Sequence, residues 1–409
     1  MATWVKKFGG SSLATVERMQ HAADTVAESV QQGHQVVVVV SAMLGETDRL
    51  LSLCSSVASD AFGRDKAALL ATGEQVSAAL FALVLQQKGI SAISLHGAQA
   101  GIVTSDQYAR ADIQEVNRKL LLHYLSDSVP VVTGYQGVNA QGEFTTLGRG
   151  GSDLTAVAVA HAIGADECQI YTDVEGVYAA DPRVVADAGL IKRLYYSEML
   201  ALAHCGAKVL QMRAVEYGSR FDVPLRVLSS FVNGQGTLIV ADDADREASV
   251  IVGIGVDRRQ ATFLLQGLRQ VDFFKHELLS VMEEKAIDID MFTVLKCSEH
   301  ASHVDVKFTV SFDDHECVAH DLRLLSSSFD FTFSVSTQNA KLSVVGLGLQ
   351  SHAGIAADIL SLFSREKIEF ELVHSTACRI SFVLSHVQVQ AAAELLHQYY
   401  IMKEQIVCN

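Results

Sequence analysis

Residues 36–40 are five consecutive valines, and this run constrains the fold more than any other segment of the chain. A strand with one face in solvent alternates apolar and polar residues, whereas an unbroken apolar run indicates burial on both faces. Strands of that kind lie in parallel sheets with helices packed on each side. The valine run therefore predicts a central strand of an α/β sheet.

The region from residue 4 to residue 240 repeats this theme, because short β-branched or apolar runs alternate with longer amphipathic segments. The predicted strands are residues 4–8, 35–41, 91–95, 129–134, 167–171 and 224–227. The predicted helices include 15–31, 74–88 and 152–163, and each ends close to a glycine, as helices commonly do: Gly33, Gly89 and Gly164. We expect an open, mostly parallel sheet sandwiched by helices.

A short charged stretch at residues 241–247 breaks this rhythm and predicts a domain boundary. Beyond it, segment 261–268 recurs as 340–347, and segment 279–291 recurs as 360–372. Each copy reads as strand, helix and strand. Units of about 75 residues are small for independent stability, so we expect the copies to pair, within the chain or across a dimer. The predicted domains are residues 1–245, 246–335 and 336–409.

The composition excludes several classes of partner and site. The 47 acidic and 32 basic residues give a formal net charge of −15, which disfavours nucleic acid and anionic membranes. The first residues lack a signal-peptide core, and we expect a cytoplasmic protein without a membrane span. The seven cysteines are scattered without a C-x-x-C pair, which indicates reduced thiols, and no metal site is expected.

The end of the first predicted strand is a candidate phosphate site. It reads Lys7-Phe8-Gly9-Gly10-Ser11 and is followed by a helical pattern. A strand-to-helix turn of this kind presents backbone N–H groups, and its glycines allow an anion to approach closely. Lys7 could pair with a transferring phosphoryl group. Taken alone, the segment is more often a tight turn beside a surface lysine.

A second glycine-rich segment, residues 145–153, contains Arg149 between glycines. An arginine fork beside backbone N–H groups suits two-point binding of a carboxylate. Ser152 or Asp153 is expected to cap the helix that follows. The role of a helix cap alone would not require Arg149.

Other polar segments follow predicted strands. Residues 171–173 close a strand and lead into the loop 174–183, where α/β sheets commonly bind nucleotides. Lys208 is a further candidate for phosphate, residues 41–47 follow the valine strand, and residues 72–74 are expected to open a helix. The sequence contains no G-x-x-x-x-G-K-[ST] loop, no H-R-D or D-F-G motif, and no G-x-G-x-x-G turn after the first strand.

Together, these segments resemble the aspartokinases of the amino-acid-kinase superfamily, in the family's order and over essentially the whole chain. The resemblance implies an amino-acid-kinase fold and transfer of the γ-phosphoryl group of ATP to the side-chain carboxylate of L-aspartate, the first step toward lysine, threonine and methionine. It also implies roles for individual residues. Lys7 and Asp153 would be catalytic, and the aspartate would be bound by Ser41, Thr47, Glu74, Arg149 and Ser152. ATP would be bound by Lys7, Phe8, Gly9, Gly10, Ser11, Thr172, Asp173, Tyr178, Asp181, Arg183 and Lys208.

The chemistry agrees with these roles, because a carboxylate that attacks a phosphoryl group already carries its negative charge. Catalysis then needs positioning and charge neutralisation by lysine, arginine and Mg²⁺, and no strong general base.

The C-terminal copies resemble ACT domains (βαββαβ units), which in this family bind amino-acid effectors and mediate dimerisation. The resemblance makes residues 250–256 the candidate strand that one unit lends to the other. This chain departs from the family pattern at residues 270–273, 293–295 and 374–377. Phe273 should block a close backbone approach, and Val294 and Leu295 cannot supply amide hydrogen bonds. We therefore expect the first effector pocket to be altered, with weakened or redirected inhibition by lysine and threonine.

Three alternatives remain open on the sequence. The chain could be a kinase for glutamate or N-acetylglutamate, a non-catalytic amino-acid-sensing paralogue, or a dinucleotide-dependent dehydrogenase. Erosion of a catalytic site should have reached Lys7, Arg149 or Asp153, which are all present.

Overall fold

A computed structural model describes residues 1–58, 62–206, 209–242, 251–269, 282, 285, 287–296, 303–328, 331–349 and 354–402. The chain forms two compact units. Unit 1 comprises Met1–Ala179 and Gly189–Glu247, and unit 2 comprises Ala180–Ala188 and Ala248–Asn409.

Unit 1 is built on an eight-stranded sheet with a smaller four-stranded sheet. Its strands are β1 (Thr3–Phe8), β2 (Gln35–Val40), β3 (Ala92–Leu95), β4 (Ile102–Thr104), β5 (Ile113–Val116), β6 (Val129–Thr133), β7 (Gln136–Val138), β8 (Phe144–Thr146), β9 (Glu167–Thr172), β10 (Arg193–Tyr195), β11 (Leu225–Ser229) and β12 (Thr237–Val240). The large sheet has the order β10-β12-β11-β9-β1-β2-β6-β3 and is parallel except for the β11–β12 pair. The six predicted strands all lie in it, and the valine strand β2 is central, between β1 and β6.

Helices cover both faces of this sheet, as predicted. They are α1 (Val16–Gln31), α2 (Glu46–Val57), α3 (Arg64–Gln87), α4 (Arg118–Asp127), α5 (Gly151–Ile163), α6 (Tyr196–His204) and α7 (Met212–Arg220). Helices α1 and α3 share a buried cluster with Phe8, Val38 and Val40, whereas α5 packs on β1 and β9 from the side of Lys7. Helix α3 has the length and hydropathy of a membrane span, but half of its apolar window is buried inside the protein, as in a core helix.

Two features of unit 1 differ from the sequence expectation. Helix α3 begins at Arg64, so residues 72–74 lie inside the helix and do not open it. Packing favours glycine at position 73. A Cβ there would lie only 3.0 Å from the Cβ of Ala42, so a larger residue would crowd this contact. The four-stranded sheet, in the order β5-β4-β7-β8, was not predicted. Its strands of three or four residues are too short to show a periodic pattern.

Unit 1 also buries a lysine in its sheet. Lys6 is 3% exposed, and its Nζ donates to the carbonyl of Thr25 at 3.1 Å and to the hydroxyl of Tyr171 at 3.3 Å. Burial lowers the pKa of Lys6 from 10.5 to about 8, although nearby Glu28 and Glu167 act in the opposite direction. The charged form of Lys6 therefore reduces the stability of the folded state at neutral pH.

We expect Lys6→Met to raise the free energy of unfolding by about 1–3 kcal/mol at pH 7. Both hydrogen-bond partners keep another bond, since Thr25 also accepts from Ser29 and Tyr171 donates to Gln169. Between pH 8 and 10.5 the unfolded wild type binds more protons than the folded wild type, so its stability rises with pH and the advantage of the variant shrinks. Chemical denaturation at pH 7 and pH 10.5 measures the two free energies of unfolding, and Lys119→Met is the control because Lys119 is exposed. A gain in the free energy of unfolding of Lys6→Met that is equal at both pH values would contradict this prediction.

Unit 2 contains a six-stranded antiparallel sheet in the order β14-β15-β13-β16-β18-β17. Its strands are β13 (Gly253–Leu268), β14 (Ile289–Lys296), β15 (Val304–Ser311), β16 (Thr332–Val345), β17 (Leu372–Ser375) and β18 (Arg379–Ser385), and the α-helices among its described residues are α8 (His315–Ser328), α9 (Ile355–Arg365) and α10 (Val389–Leu396).

The repeated segments 261–268 and 340–347 lie largely on the long strands β13 and β16, which pair with each other. The start of β13, Gly253 to Asp257, pairs with Lys341 to Val345. Residues 243–247, 250 and 270–273, which the sequence analysis singled out, lie outside the described residues.

Candidate active site

The carboxyl ends of four parallel strands of unit 1 meet at one edge of the large sheet. In the register of the sheet, Phe8 pairs with both Val40 and Tyr171, and Val40 pairs with Thr133. Ligands of open α/β sheets bind beyond this edge. The segments that the sequence analysis singled out after β1, β2 and β9 are therefore neighbours in space.

The turn after β1 runs close to the neighbouring β2 loop. Residues Gly10–Leu13 form a 3-10 helix, and α1 starts only after Thr15, whose hydroxyl accepts from the N–H of Arg18 at 3.3 Å. A Cβ at Gly10 would lie 3.0 Å from the carbonyl oxygen of Ala42, and one at Gly9 would lie 3.5 Å from Lys7 Nζ. A side chain at Gly10 would crowd the Ala42 backbone, and one at Gly9 would contact the lysine ammonium.

Lys7 and Asp153 form an ion pair next to this turn. Lys7 Nζ lies 2.6 Å from Asp153 Oδ1, and both side chains are 10% exposed. Lys7 points to the face of the sheet on which α5 packs, because the adjacent Phe8 points to the opposite face and stacks on Tyr171. The two residues that the sequence marked as catalytic are thus in direct contact.

The expectation that Ser152 or Asp153 caps α5 is wrong. The helix begins at Gly151, and its N-cap is Gly150 in the left-handed conformation with φ 72°. Asp153 lies in the first turn and is engaged with Lys7. Ser152 is 7% exposed and packs at the end of β6, where a Cβ at Gly134 would lie 2.6 Å from the Ser152 hydroxyl.

Glu74 is a buried carboxyl group in the middle of α3. It is 3% exposed, and its Oε1 accepts from the N–H of Ala42 at 3.1 Å. Its Oε2 and the hydroxyl of Thr133 at the end of β6 have no hydrogen-bond partner among the described residues. Burial raises the pKa of Glu74 to about 8. Unsatisfied buried oxygens at the edge of a sheet favour a site for a polar ligand.

Arg149 lies in a loop with two left-handed glycines, Gly148 at φ 78° and Gly150 at φ 72°. Its side chain is exposed, and within the described part of the chain it makes no hydrogen bond or ion pair with protein. Its position therefore depends on the backbone of the loop, and its donors remain available to a ligand.

The other predicted site residues lie at strand ends, in loops and in the first turn of α2. Ser41 follows β2, and its N–H donates to the carbonyl of Phe8 at 3.1 Å. Thr47 lies in the first turn of α2, and Thr172 ends β9, with its hydroxyl 3.1 Å from Asp173 Oδ1. The remaining residues of the set are Ser11 in the turn, Tyr178 in the loop after β9, Asp181 and Arg183 in the part of that loop that belongs to unit 2, and Lys208, which lies outside the described residues.

Sequence analysis missed two residues where β6 leads into β7: Tyr135, which precedes β7, and Gln136, which is its first residue. Tyr135 adopts φ 68°, which is unusual for a residue other than glycine. Burial, first of all, raises the pKa of its phenol, and the proximity of Glu74 acts in the same direction. Gln136 is fully buried and donates from Nε2 to the carbonyl of Ala71 in α3 at 2.7 Å. Only a polar turn after a strand marked these residues in the sequence, and that pattern is too common to indicate a site.

The arrangement suits two adjacent ligand groups. The glycine turn and Lys7 can hold a phosphate chain, and Arg149 with the buried Glu74 can hold a small molecule that carries both carboxylate and ammonium groups.

Comparison with known proteins gives consistent results. The profile of the amino acid kinase family matches residues 2–229, and an ACT domain profile matches residues 342–400. The chain is 38% identical to the aspartate kinase of Stutzerimonas stutzeri over 400 residues, with 97% of each chain covered. It is 38% identical to the aspartokinase of Pseudomonas aeruginosa over 401 residues, with the same coverage. The crystal structure of aspartate kinase from Synechocystis superimposes with a TM-score of 0.81 at 26% identity, covering 97% of this chain and 98% of that one.

Proposed function

The chain belongs to the aspartokinases of the amino acid kinase family, and from this premise we propose how its own residues carry out the reaction. The protein is an aspartate kinase, which transfers the γ-phosphoryl group of ATP to the side-chain carboxylate of L-aspartate. The products are 4-phospho-L-aspartate and ADP, and the reaction opens the biosynthesis of lysine, threonine and methionine. The observation that carries the mechanism is the buried Lys7–Asp153 ion pair beside the glycine turn.

In this proposal Lys7 neutralises the charge that develops on the transferring phosphoryl group. Its ammonium is almost excluded from water, so its interaction with an anion is stronger than in solution. Asp153 holds the ammonium in place before ATP arrives. The turn of Phe8, Gly9, Gly10 and Ser11 lets the phosphates approach the backbone. The nucleotide set is completed by Thr172, Asp173, Tyr178, Asp181, Arg183 and Lys208.

L-Aspartate would be bound by groups from three segments. The guanidinium of Arg149 would hold a substrate carboxylate in a two-point contact. The buried carboxyl of Glu74 would bind the α-ammonium group, which supplies the partner that Glu74 Oε2 lacks among the described residues. Ser41, Thr47 and Ser152 would complete the site. The side-chain carboxylate of aspartate attacks in its ionised form, so catalysis depends on positioning.

Mg²⁺ is proposed as the companion of ATP. The described residues contain no group of three or more His, Cys, Asp or Glu side chains that could hold a metal ion by themselves. That sparse donor set fits Mg²⁺, which proteins commonly bind through one or two carboxylates and the phosphates of the substrate. Asp153 and Asp173 are the candidate carboxylates. When bound, Mg²⁺ would neutralise phosphate charge.

A direct test measures acyl-phosphate formation with purified protein, ATP and Mg²⁺, with the product trapped as a hydroxamate. We expect hydroxamate and an equal amount of ADP with L-aspartate, and much less with L-glutamate or N-acetyl-L-glutamate. Product with either of those acids in preference to aspartate would identify a different kinase of the family. Failure to form product with all three would favour a non-catalytic sensing protein.

The buried Glu74 predicts a pH dependence for aspartate binding. Its pKa of about 8 means that Glu74 is mainly protonated at pH 7 in the free protein, whereas an α-ammonium group needs the carboxylate. Binding at pH 7 should therefore release close to one proton. The affinity should increase about tenfold per pH unit below pH 8 and level off above it.

Calorimetry of aspartate binding in buffers of different ionisation enthalpy measures this proton release. Glu74→Gln should bind aspartate more weakly and should abolish both the proton release and the slope with pH. A Glu74→Gln variant with unchanged proton release would show that another group titrates.

The regulatory half is proposed to comprise two ACT units, residues 246–335 and 336–409, attached to a catalytic domain of residues 1–245. We propose a cytoplasmic enzyme that assembles as a homodimer or larger oligomer and binds an amino-acid effector. Val294 and Leu295 of β14 are 39% and 49% exposed and offer no amide group to such a ligand. Inhibition by lysine or threonine is therefore proposed to be weak or redirected. Strong inhibition of the purified enzyme near cellular levels of either amino acid would contradict this.

A further inference from the structure

Arg213 in the first turn of α7 ties the loop that carries Arg149 to that helix. Arg213 Nη1 donates to the carbonyl of Leu147 at 2.6 Å, and its Nη2 donates to the carbonyl of Ala111 at 2.9 Å. Nη2 also forms an ion pair with Asp112 Oδ1 at 2.8 Å. A single guanidinium group thus joins α7 to the residue that precedes Gly148 and to the segment before β5.

The loop needs such an external support. Gly148 and Gly150 both have positive φ values, and because glycine is conformationally permissive these two residues restrain their own backbone only weakly. The Arg149 side chain between them makes no hydrogen bond or ion pair within the described part of the chain. Among the described residues, Gly151 N–H donates to the Gly148 carbonyl at 2.9 Å within the loop, and Leu147 N–H donates to the Tyr135 carbonyl at 2.8 Å, which leaves the Leu147 carbonyl to Arg213.

The same end of α7 also limits the loop sterically. A Cβ at Gly150 would lie 1.6 Å from Cγ of Gln211, the N-cap residue of α7. Leu147 is fully buried, so its carbonyl cannot exchange Arg213 for bulk water without opening the site. The contacts of Gln211 and Arg213 therefore define the backbone on both sides of Arg149.

We propose that Arg213 is a positioning residue that fixes the 147–151 loop and thereby places Arg149 for the substrate carboxylate. The inference rests on the proposed function of Arg149. Arg213 does not itself touch the substrate. Its planar fork reaches two carbonyls and a carboxylate at once, which the single ammonium group of a lysine cannot do.

The test compares Arg213→Met and Arg213→Lys with Arg226→Met. Arg226 on β11 is a suitable control because its interactions are of the same kind. It forms an ion pair with Glu167 at 2.8 Å and donates to the carbonyl of Gln235. We expect Arg213→Met to raise the KM for aspartate about 10- to 100-fold, since small misplacements of a binding group cost up to about that factor. The KM for ATP should change less than about twofold. Arg213→Lys should be intermediate, and Arg226→Met should alter stability without changing either KM.

Amide hydrogen exchange gives a readout that is independent of activity. Exchange in peptides that contain Leu147 and Gly151 should be at least about tenfold faster in Arg213→Met than in wild type or Arg226→Met. An unchanged KM for aspartate in a folded Arg213→Met protein would overturn the inference, whether or not exchange is faster. If the wild type itself fails to phosphorylate aspartate, the proposed function is wrong. Unchanged exchange in Arg213→Met would then also show that Arg213 does not fix the 147–151 loop. If Arg213→Met does not fold, the same criteria apply to Arg213→Lys.

Discussion

Lys7→Ala is expected to lower kcat for phosphoryl transfer at least about 10³-fold, with the KM for aspartate changed only a few-fold. The variant loses the one ammonium group that lies both beside the Gly9 backbone and in contact with Asp153 within the described residues. Because that ammonium is nearly buried, water cannot replace its interaction with the phosphoryl group. The loss should therefore appear in the chemical step. Initial rates of hydroxamate and ADP formation under saturating substrates measure it.

A structural complication must be separated from this effect. Removing Lys7 leaves the Asp153 carboxylate buried without its partner, which typically destabilises a protein by about 3–5 kcal/mol. The double variant Lys7→Ala with Asp153→Asn removes both charges and should recover most of the stability but none of the activity. A folded Lys7→Ala protein with kcat within tenfold of wild type would show that Lys7 does not act on the phosphoryl group.

Arg149→Ala is expected to raise the KM for aspartate about 10²-fold, because a two-point charge-assisted contact contributes on the order of 3 kcal/mol. The free energy of unfolding of the variant should lie within about 0.5 kcal/mol of the wild-type value. Arg149 is exposed, and its side chain makes no hydrogen bond or ion pair with the described residues. A large loss of binding without a loss of stability distinguishes a ligand-binding arginine from a structural one.

Steady-state kinetics over a range of aspartate concentrations and thermal denaturation of the same samples measure the two quantities. Arg118→Ala is the control, because Arg118 is also exposed but lies at the start of α4. Arg149→Lys should restore part of the affinity through its charge but not the two-point geometry. Wild-type affinity in Arg149→Ala would remove Arg149 from the substrate site.

The central sheet could be predicted from the sequence because its strands are apolar runs with distinct ends. Residues 36–40 predicted a central strand, and β2 is one, with neighbours on both sides. The end of α5 was also predictable, since Gly164 closes the helix in the left-handed conformation at φ 70°. The start of α3 was not, because residues 72–74 were expected to open the helix, and the packing of Gly73 against Ala42 inside it is a tertiary contact.

The candidate site was predictable as a set of motifs but not as a geometry. Lys7 and Asp153 are far apart in the sequence, and their ion pair exists because β1 and α5 pack together. The unusual charge state of Glu74 depends on its burial in the middle of α3, which no local pattern reveals. The support that Arg213 gives to the Arg149 loop arises likewise from tertiary contacts alone.

The ion pair between Lys7 and Asp153 also bears on which anions can enter the cleft. An incoming anion must compete with a carboxylate that is already held at 2.6 Å by the same chain. Chloride brings one negative charge and few contacts, so it gains little free energy when it displaces the carboxylate, whereas a nucleotide brings several charges and many additional contacts. Asp153 thus acts as a built-in counter-ion of Lys7 and disfavours the binding of small anions that are abundant in cells.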